Sequence, residues 1–332
     1  MYAYIVGCHS SAVYNRIILL RSVWVPYRSN SGTFCCPQEV DPEEGTRAVE
    51  AAFKMGINFF DTSPFYGDTK SETALGVGIA KLPREEIIVS TKVGRYGPEL
   101  FDFSADRVKK SVDESLGRLG LTYVDLIQCH DMEFVELDQI VNETLPALME
   151  LKKLGKVRHI GITGLPLKIF RYILDRVPIG TVDCVLSYCH YTLCDDSLDE
   201  LIPYLQSKNV GIINASPLCM GLLTKRGPPA WHPAPANLID AAKAATEKAN
   251  SYGVDIADIA LGYSLSNSNI STTLVGICTV EQAENNCKSA LRALGMIDDS
   301  NSIQVLKVTE TVKGVFEPVH GITWPSGLAE NN

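Results

Sequence analysis

The sequence lacks the features that mark three classes of protein. It has no excess of positive charge, since 30 Lys and Arg stand against 39 Asp and Glu, so no overall field attracts a nucleic-acid backbone. No apolar run approaches the ~18 residues that a membrane-spanning helix needs. The ten cysteines include no CxxC pair, and most lie in apolar runs such as DCVLSYCH, where cysteine behaves as a small hydrophobic residue. We therefore expect a soluble, cytoplasmic protein with reduced cysteines that binds neither nucleic acid nor a membrane.

What the sequence does contain is typical of a compact α/β enzyme. Its 332 residues are 45% hydrophobic and include 25 glycines, enough for a large buried core. The first helix is predicted in DPEEGTRAVEAAFKMG, with Asp41 as N-cap, Pro42 in the first turn and Gly56 at the end. From there onward, apolar strands alternate with helical patterns, which predicts a parallel sheet.

Seven strands alternate with helices, and one further helix follows. The strands are predicted at 57–61, 86–93, 124–130, 157–164, 183–190, 210–217 and 271–277. Helices are predicted near 71–80, 104–119, 137–154, 166–176, 196–206, 237–252, 279–293 and 301–315. Strands that are apolar on both faces, each followed by a helix, predict a (β/α)8 barrel.

The eighth strand of such a barrel has to come from the N-terminus. Residues 1–38 contain several arginines and no acid, and they resemble a transit peptide only loosely. The run IILLRSVWV (17–25) offers one candidate strand. Alternatively, the segment is foreign to the fold and the first strand is missing or replaced. The expected organisation is an atypical segment over 1–39 and a barrel domain over 40–332.

Polar side chains stand at three successive strand ends. Asp61 closes the second strand and Tyr66 follows in its loop, Lys92 lies in the third strand, and His130 ends the fourth. Each alone has a structural explanation, as a cap, a packed aromatic, a solvated strand end or a rim residue. Because active-site groups of a barrel gather at the carboxyl ends of its strands, the set favours a functional site.

These four residues together make an acid/base centre without a nucleophile or a metal. A phenol has an ordinary pKa near ~10, so it exchanges a proton at neutral pH where a cation stabilises the phenolate. Lys92 is the candidate cation, and a nearby Asp61 keeps a buried ammonium charged. His130 either holds a substrate oxygen or shares the proton relay.

The segments DTSPFYG, STKVG and IQCHD resemble the catalytic segments of the aldo-keto reductase superfamily. The resemblance covers about residues 40 to 327. It implies that Tyr66 donates or accepts the proton, that Lys92 and Asp61 tune it, that His130 orients the substrate, and that hydride passes to or from a nicotinamide cofactor. The features GINFFDTSPFYG, VLSYCHYTL and PVHGITWPSG further resemble family members that oxidise L-galactose or a related aldose at C1 to the lactone in ascorbate biosynthesis. In that case Tyr66, His130 and Trp324 would meet the sugar, although Trp324 could equally be a packed tail residue.

The resemblance also implies where the cofactor binds. The expected residues are Thr163, Ser187, Ser216, Pro217, Leu218, Gly276, Gln282, Asn285 and Asn286. Family members that select NADPH offer Lys or Arg near the adenosine, because such a side chain holds the 2′-phosphate. This chain has Gly276 and Gln282 at the comparable places, so we expect NAD.

Two other functions stay open at this stage. The chain could be a catalytically impaired, cofactor-binding form or a regulatory relative, because its N-terminal segment lacks the usual glycine-rich first strand. Lys92 could also act as a Schiff-base nucleophile, although Asp61 and Tyr66 are better explained by hydride transfer. The expected partner is a small sugar, and the expected assembly is a monomer or a homodimer.

Overall fold

The computed structural model describes residues 19–21, 42–297 and 300–328. The predicted N-cap Asp41, most of the atypical segment 1–39 and three of the ten cysteines lie outside these residues. No helix in the described ranges is long and apolar enough to cross a membrane.

Eight parallel strands, all within the described ranges, close into a barrel in sequence order. They are β1 (Leu19–Arg21), β2 (Phe59–Asp61), β3 (Ile88–Val93), β4 (Val124–Cys129), β5 (Val157–Gly164), β6 (Cys184–Tyr188), β7 (Gly211–Ala215) and β8 (Thr272–Gly276). The predicted α/β barrel is confirmed. Most residues of β2 to β8 are buried, as expected of a sheet that helices cover on the outside.

The first strand comes from the N-terminal run that the sequence offered. β1 lies within residues 17–25 and pairs with β2 on one side and with β8 on the other. Its backbone therefore satisfies the two sheet edges that would stay open without it. The boundary proposed between residues 39 and 40 stays a prediction.

Helices surround the barrel. They are α1 (Pro42–Lys54), α2 (Lys70–Ile79), α3 (Ala105–Leu119), α4 (Leu137–Gln139), α5 (Leu145–Lys153), α6 (Lys168–Leu174), α7 (Leu198–Ser207), α8 (Ala236–Ser251), α9 (Ile256–Ser264), α10 (Val280–Ala293) and α11 (Ser300–Lys313). As predicted, α1 ends just before Gly56, whose φ of 93° suits glycine.

Two helical segments differ from the sequence-based expectation. The single helix expected at 137–154 is interrupted by a π-turn at Ile140–Thr144. Pro146, in the first turn of α5, lacks the N–H that would continue regular α-helical bonding. Helix α9 was not predicted, and its N-terminus is capped by Asp255, whose Oδ1 accepts from Ala257 N at 3.0 Å.

The apolar core has two parts. The larger cluster fills the barrel and the layer between strands and helices. The smaller cluster gathers α8, part of α9, α11 and the C-terminal tail around Met220 and Leu223 of the segment after β7, and it includes Trp324. The second cluster thus fixes the tail against the rim at the carboxyl ends of the strands.

Candidate active site

The residues expected to form a catalytic tetrad lie together at the carboxyl ends of β2, β3 and β4. Asp61, Tyr66, Lys92 and His130 are each at most 4% exposed. The Lys92 ammonium Nζ lies 2.5 Å from Asp61 Oδ2 and 4.9 Å from the centroid of the Tyr66 ring. Tyr66 OH is 3.5 Å from His130 Nε2. The side chains predicted from three separate segments are therefore one contiguous group.

Strand register explains how the Asp61 carboxylate is held. Asp61 pairs with Ser90 in the sheet, and Lys92 pairs with Gln128. Ser90 and Lys92 are two residues apart, so they face the same side of β3. Asp61 Oδ1 accepts hydrogen bonds from Ser90 Oγ and Gln128 Nε2, both at 2.9 Å.

The buried Lys92 ammonium has two hydrogen-bond acceptors. Its Nζ donates to Asp61 and also to the carbonyl oxygen of Thr62, at 2.8 Å. A buried ammonium needs such partners to offset the loss of water. The arrangement keeps a positive charge beneath the Tyr66 ring, where it stabilises a phenolate.

His130 is held from both sides of its ring. Nδ1 lies 3.0 Å from Ser63 Oγ, and Nε2 faces Tyr66 OH and, at 3.5 Å, Asp131 Oδ2. The His130 and Tyr66 rings meet edge to face, with centroids 5.4 Å apart. The imidazole orientation is thus set by its neighbours on both nitrogens.

Asp131 and Arg95 form a second charged pair beside His130 that sequence analysis missed. The Arg95 guanidinium pairs with the Asp131 carboxylate and lies 4.1 Å from the centroid of the Phe65 ring. Asp131 has a φ of 51°, and its amide donates to Thr163 Oγ1 at 2.8 Å. Left-handed backbone in a non-glycine residue is strained and concentrates at functional sites. The motif IQCHD carried the signal, because Asp131 directly follows His130.

Glu133 connects this rim to the C-terminal tail. Its Oε1 accepts from Leu165 N and Ser326 Oγ, both at 3.0 Å, and from Tyr188 OH at 3.3 Å. Burial, and secondly the charge of Asp131, raise the pKa of Glu133 to about 7. We call the contact between Glu133 and residues 326–328 the tail clasp.

Trp324 lies in the C-terminal tail and packs in the smaller apolar cluster. It is 8% exposed, and its ring meets that of His232 edge to face at 5.2 Å. His232 Nδ1 accepts from Ala234 N, and Nε2 donates to the Cys219 carbonyl at 2.9 Å. Burial lowers the pKa of His232. These contacts make Trp324 a packed tail residue that braces the segment after β7, and its contact with substrate stays a prediction.

The residues expected to bind the nicotinamide end of a cofactor lie at adjacent strand ends. Thr163 is buried near the end of β5, and Ser187 is buried near the end of β6. Ser187 Oγ has no hydrogen-bond partner in the part of the chain that the structure describes. Ser216, with a φ of 57°, follows β7 directly and is succeeded by Pro217 and Leu218.

Three of the four residues expected at the adenosine end line a cavity of about 590 Å³ along α10. Gln282, Asn285 and Asn286 belong to its wall, while Gly276 ends β8 and accepts from Asn286 Nδ2 at 3.4 Å. The expected absence of a basic clamp is not complete, because three basic side chains also line the cavity: Lys225, Lys288 and Arg292. Lys225 is paired with Asp255 at 3.0 Å.

Comparison with known proteins gives one consistent result. The model of the aldo/keto reductase family matches residues 30–301. L-galactose dehydrogenase of Arabidopsis thaliana is 55% identical over 88% of this chain and 90% of its own length. D-arabinose 1-dehydrogenase of Saccharomyces cerevisiae is 32% identical over 84% of this chain and 86% of its own length. Among solved structures, the holo form of aldo-keto reductase AKR11C1 from Bacillus halodurans is similar, with a TM-score of 0.65 and 25% identity over 81% of this chain and 88% of that chain.

Proposed function

The chain belongs to the aldo/keto reductase family, and on this basis we propose that it oxidises L-galactose, or a closely related aldose, at C1 to the lactone, with NAD as oxidant. Membership of this family makes the chain an oxidoreductase. The sugar is supported by the 55% identity to an L-galactose dehydrogenase, and a dehydrogenase of this specificity would serve ascorbate biosynthesis.

The observation that carries the proposal is the intact group of Tyr66, Lys92, Asp61 and His130. Lys92 Nζ lies 2.5 Å from the Asp61 carboxylate and 4.9 Å from the centroid of the Tyr66 ring. Tyr66 therefore accepts the proton of the sugar hydroxyl, and His130 is placed within 3.5 Å of the same phenol oxygen. A bound nicotinamide would supply the acceptor for the hydride from C1.

The residues present fit a dinucleotide at both ends. The buried Ser187 Oγ has no hydrogen-bond partner among the described residues, as suits a group that binds a carboxamide. The cavity with Gln282, Asn285 and Asn286 on its wall suits an adenosine. We propose NAD over NADP because Gln282 stands where a basic side chain would hold a 2′-phosphate. The basic residues that do line the cavity are Lys225, which is paired with Asp255, and Lys288 and Arg292, which lie further along α10. Thr163, Ser216, Pro217, Leu218 and Gly276 complete the proposed cofactor site.

Two alternatives are less well supported. An impaired or purely regulatory form would be expected to lack part of the tetrad or the first strand, whereas here all four side chains are in contact and β1 closes the barrel. A Schiff-base mechanism needs a neutral amine, but Lys92 donates to both a carboxylate and a carbonyl.

Location and assembly remain proposals as well. The seven described cysteines are all buried, as suits thiols that pack as small apolar side chains, and we propose a reducing compartment such as the cytoplasm. We propose a monomer or a homodimer.

The test is an absorbance assay for NADH with L-galactose, L-fucose and D-arabinose. We expect turnover with L-galactose, and a Tyr66→Phe variant should lose ~100-fold to 10,000-fold in kcat while it still binds NAD. A folded wild-type protein that binds NAD but turns over none of these sugars would overturn the proposal.

A further inference from the structure

Ser63 lies between two members of the tetrad but belongs to neither the tetrad nor the cofactor site. It follows Asp61 by two residues in the loop that carries Tyr66, and it is fully buried. Its Oγ lies 3.0 Å from His130 Nδ1 and accepts a hydrogen bond from Phe65 N at 3.0 Å. Ser63 is therefore the partner of the His130 nitrogen that points away from Tyr66.

These two contacts determine where the Ser63 proton lies. A serine hydroxyl has one proton to donate and two lone pairs. The Phe65 amide is a donor and cannot receive that proton. Within the described chain, the acceptor that Ser63 Oγ reaches is His130 Nδ1. Were Nδ1 itself protonated, two donors would face each other and the buried hydroxyl proton would lose its partner, at a cost of ~1–3 kcal/mol.

The other side of the imidazole agrees with this assignment. Nε2 faces two oxygen atoms, Tyr66 OH and Asp131 Oδ2, each at 3.5 Å. The Asp131 carboxylate is paired with Arg95, so its charge is already balanced and does not require a doubly protonated ring. A donor on the Nδ1 side and acceptors on the Nε2 side both place the single ring proton on Nε2.

We propose that Ser63 is a positioning residue that fixes His130 as a neutral imidazole protonated on Nε2. His130 then donates a hydrogen bond to the substrate oxygen and does not take the proton released in oxidation, which passes to Tyr66. This inference rests on the proposed dehydrogenase function. It gives a structural cause, the contact of Ser63 Oγ with Nδ1, for the orienting role that the resemblance implies for His130.

The first experiment measures the tautomer directly in the free protein. Long-range ¹H–¹⁵N correlation spectra of ¹⁵N-labelled wild type at pH 7.5 should show His130 with an unprotonated Nδ1 and a protonated Nε2. Loss of these signals in His130→Gln assigns them. A proton on Nδ1, or on both nitrogens, would overturn the proposal, whether or not the wild type oxidises a sugar.

The second experiment tests the role of Ser63 in catalysis. Ser63→Ala should lower kcat about 5-fold to 30-fold, the effect of losing one orienting hydrogen bond, without changing NAD affinity, and should populate the Nδ1-protonated form. Ser63→Thr keeps the hydroxyl and should restore both rate and tautomer. Ser264→Ala is the matched control, since it removes a buried hydroxyl of α9 that donates to the Tyr191 carbonyl at 2.9 Å, and its kcat should be unchanged. A Ser63→Ala enzyme with wild-type rate and spectrum would refute the role. Absence of sugar turnover in the wild type would instead count against the proposed function, because the spectra do not depend on activity.

Discussion

The Lys92 ammonium and the Asp61 carboxylate lie 2.5 Å apart at neighbouring strand ends, and both side chains are at most 2% exposed. Two buried charges at this distance stabilise each other only because further hydrogen bonds replace the lost water. Here the Thr62 carbonyl completes the coordination of Lys92, and Ser90 and Gln128 complete that of Asp61. Removing either side chain should therefore lower the stability of the fold as well as the activity.

We expect that removing either charge alone will destabilise the fold. Lys92→Met or Asp61→Asn should each lower the free energy of unfolding by about 3–5 kcal/mol, because the remaining charge is buried without its partner. The double variant Lys92→Met/Asp61→Asn should recover most of this loss. Urea denaturation followed by circular dichroism measures all three free energies.

Activity measurements separate the contribution of this ion pair to catalysis from its contribution to stability. All three variants should be inactive, since the Tyr66 phenolate loses its cation or the cation loses its partner. Tyr66→Phe should be inactive but close to wild type in stability. If the double variant were as unstable as the sum of the single variants, the pair would contribute through packing and not through charge.

A second prediction concerns the tail clasp. Gly327 has a φ of 91°, and a Cβ there would lie 2.3 Å from the Glu133 carbonyl oxygen. Gly327→Ala should therefore displace residues 326–328 in addition to the ~1–2 kcal/mol that alanine pays in left-handed backbone. Gly321→Ala is the matched control, because Gly321 has a φ of 73° and open space at its Cβ position.

Limited proteolysis and thermal unfolding distinguish these two glycine variants. Gly327→Ala should expose the tail to carboxypeptidase and raise the KM for the sugar, whereas Gly321→Ala should show the backbone cost alone. Equal behaviour of the two variants would mean that the clasp does not fix the tail.

A third prediction concerns cofactor choice. Gln282→Arg places a guanidinium on the wall of the adenosine cavity, so the ratio of kcat/KM for NADP to that for NAD should rise at least ~10-fold. Gln206→Arg adds the same charge at an exposed position of α7 and should leave the ratio unchanged. Steady-state kinetics with both cofactors gives the ratios. A wild-type enzyme that uses NADP as well as NAD would contradict the premise.

The sequence predicted the barrel and the tetrad because both depend on local patterns. Alternation of apolar strands and helices is periodic, and the carboxyl ends of parallel strands necessarily meet. Several strands end earlier than predicted for a local reason: Asp131, Cys189 and Ser216, which lie at or just beyond the ends of β4, β6 and β7, have positive φ angles. The alternation of apolar residues does not indicate where these positive φ angles occur.

What the sequence did not reveal depends on contacts between distant residues. Ser326 and Glu133 are 193 positions apart, and Arg95 and Asp131 are 36 positions apart, so no periodicity links either pair. Ser63 stood in a motif that was already assigned to catalysis, but the role proposed for it follows from its contact with His130 Nδ1, 67 positions away along the chain. Such a contact forms only when the loop after β2 packs against the end of β4.

The last prediction concerns the effect of Glu133 on how the free energy of unfolding changes with pH. Its pKa is raised from an ordinary 4.5 to about 7, mainly by burial, so the folded protein holds a proton that the unfolded chain releases between these values. Stability from this group is therefore full below about pH 4.5 and is lost as the pH rises toward 7. Glu133→Gln keeps an acceptor for Leu165 N and Ser326 Oγ but cannot ionise. Relative to wild type, the variant should gain about 2–3 kcal/mol between pH 5 and pH 8, measured by urea denaturation at both pH values. Subtracting the free energy of unfolding of the wild type from that of the variant, at each pH, cancels the titration of groups other than Glu133 and its neighbour Asp131. A difference that stays constant with pH would mean that Glu133 is ionised throughout, with its charge balanced by the donors of the tail clasp.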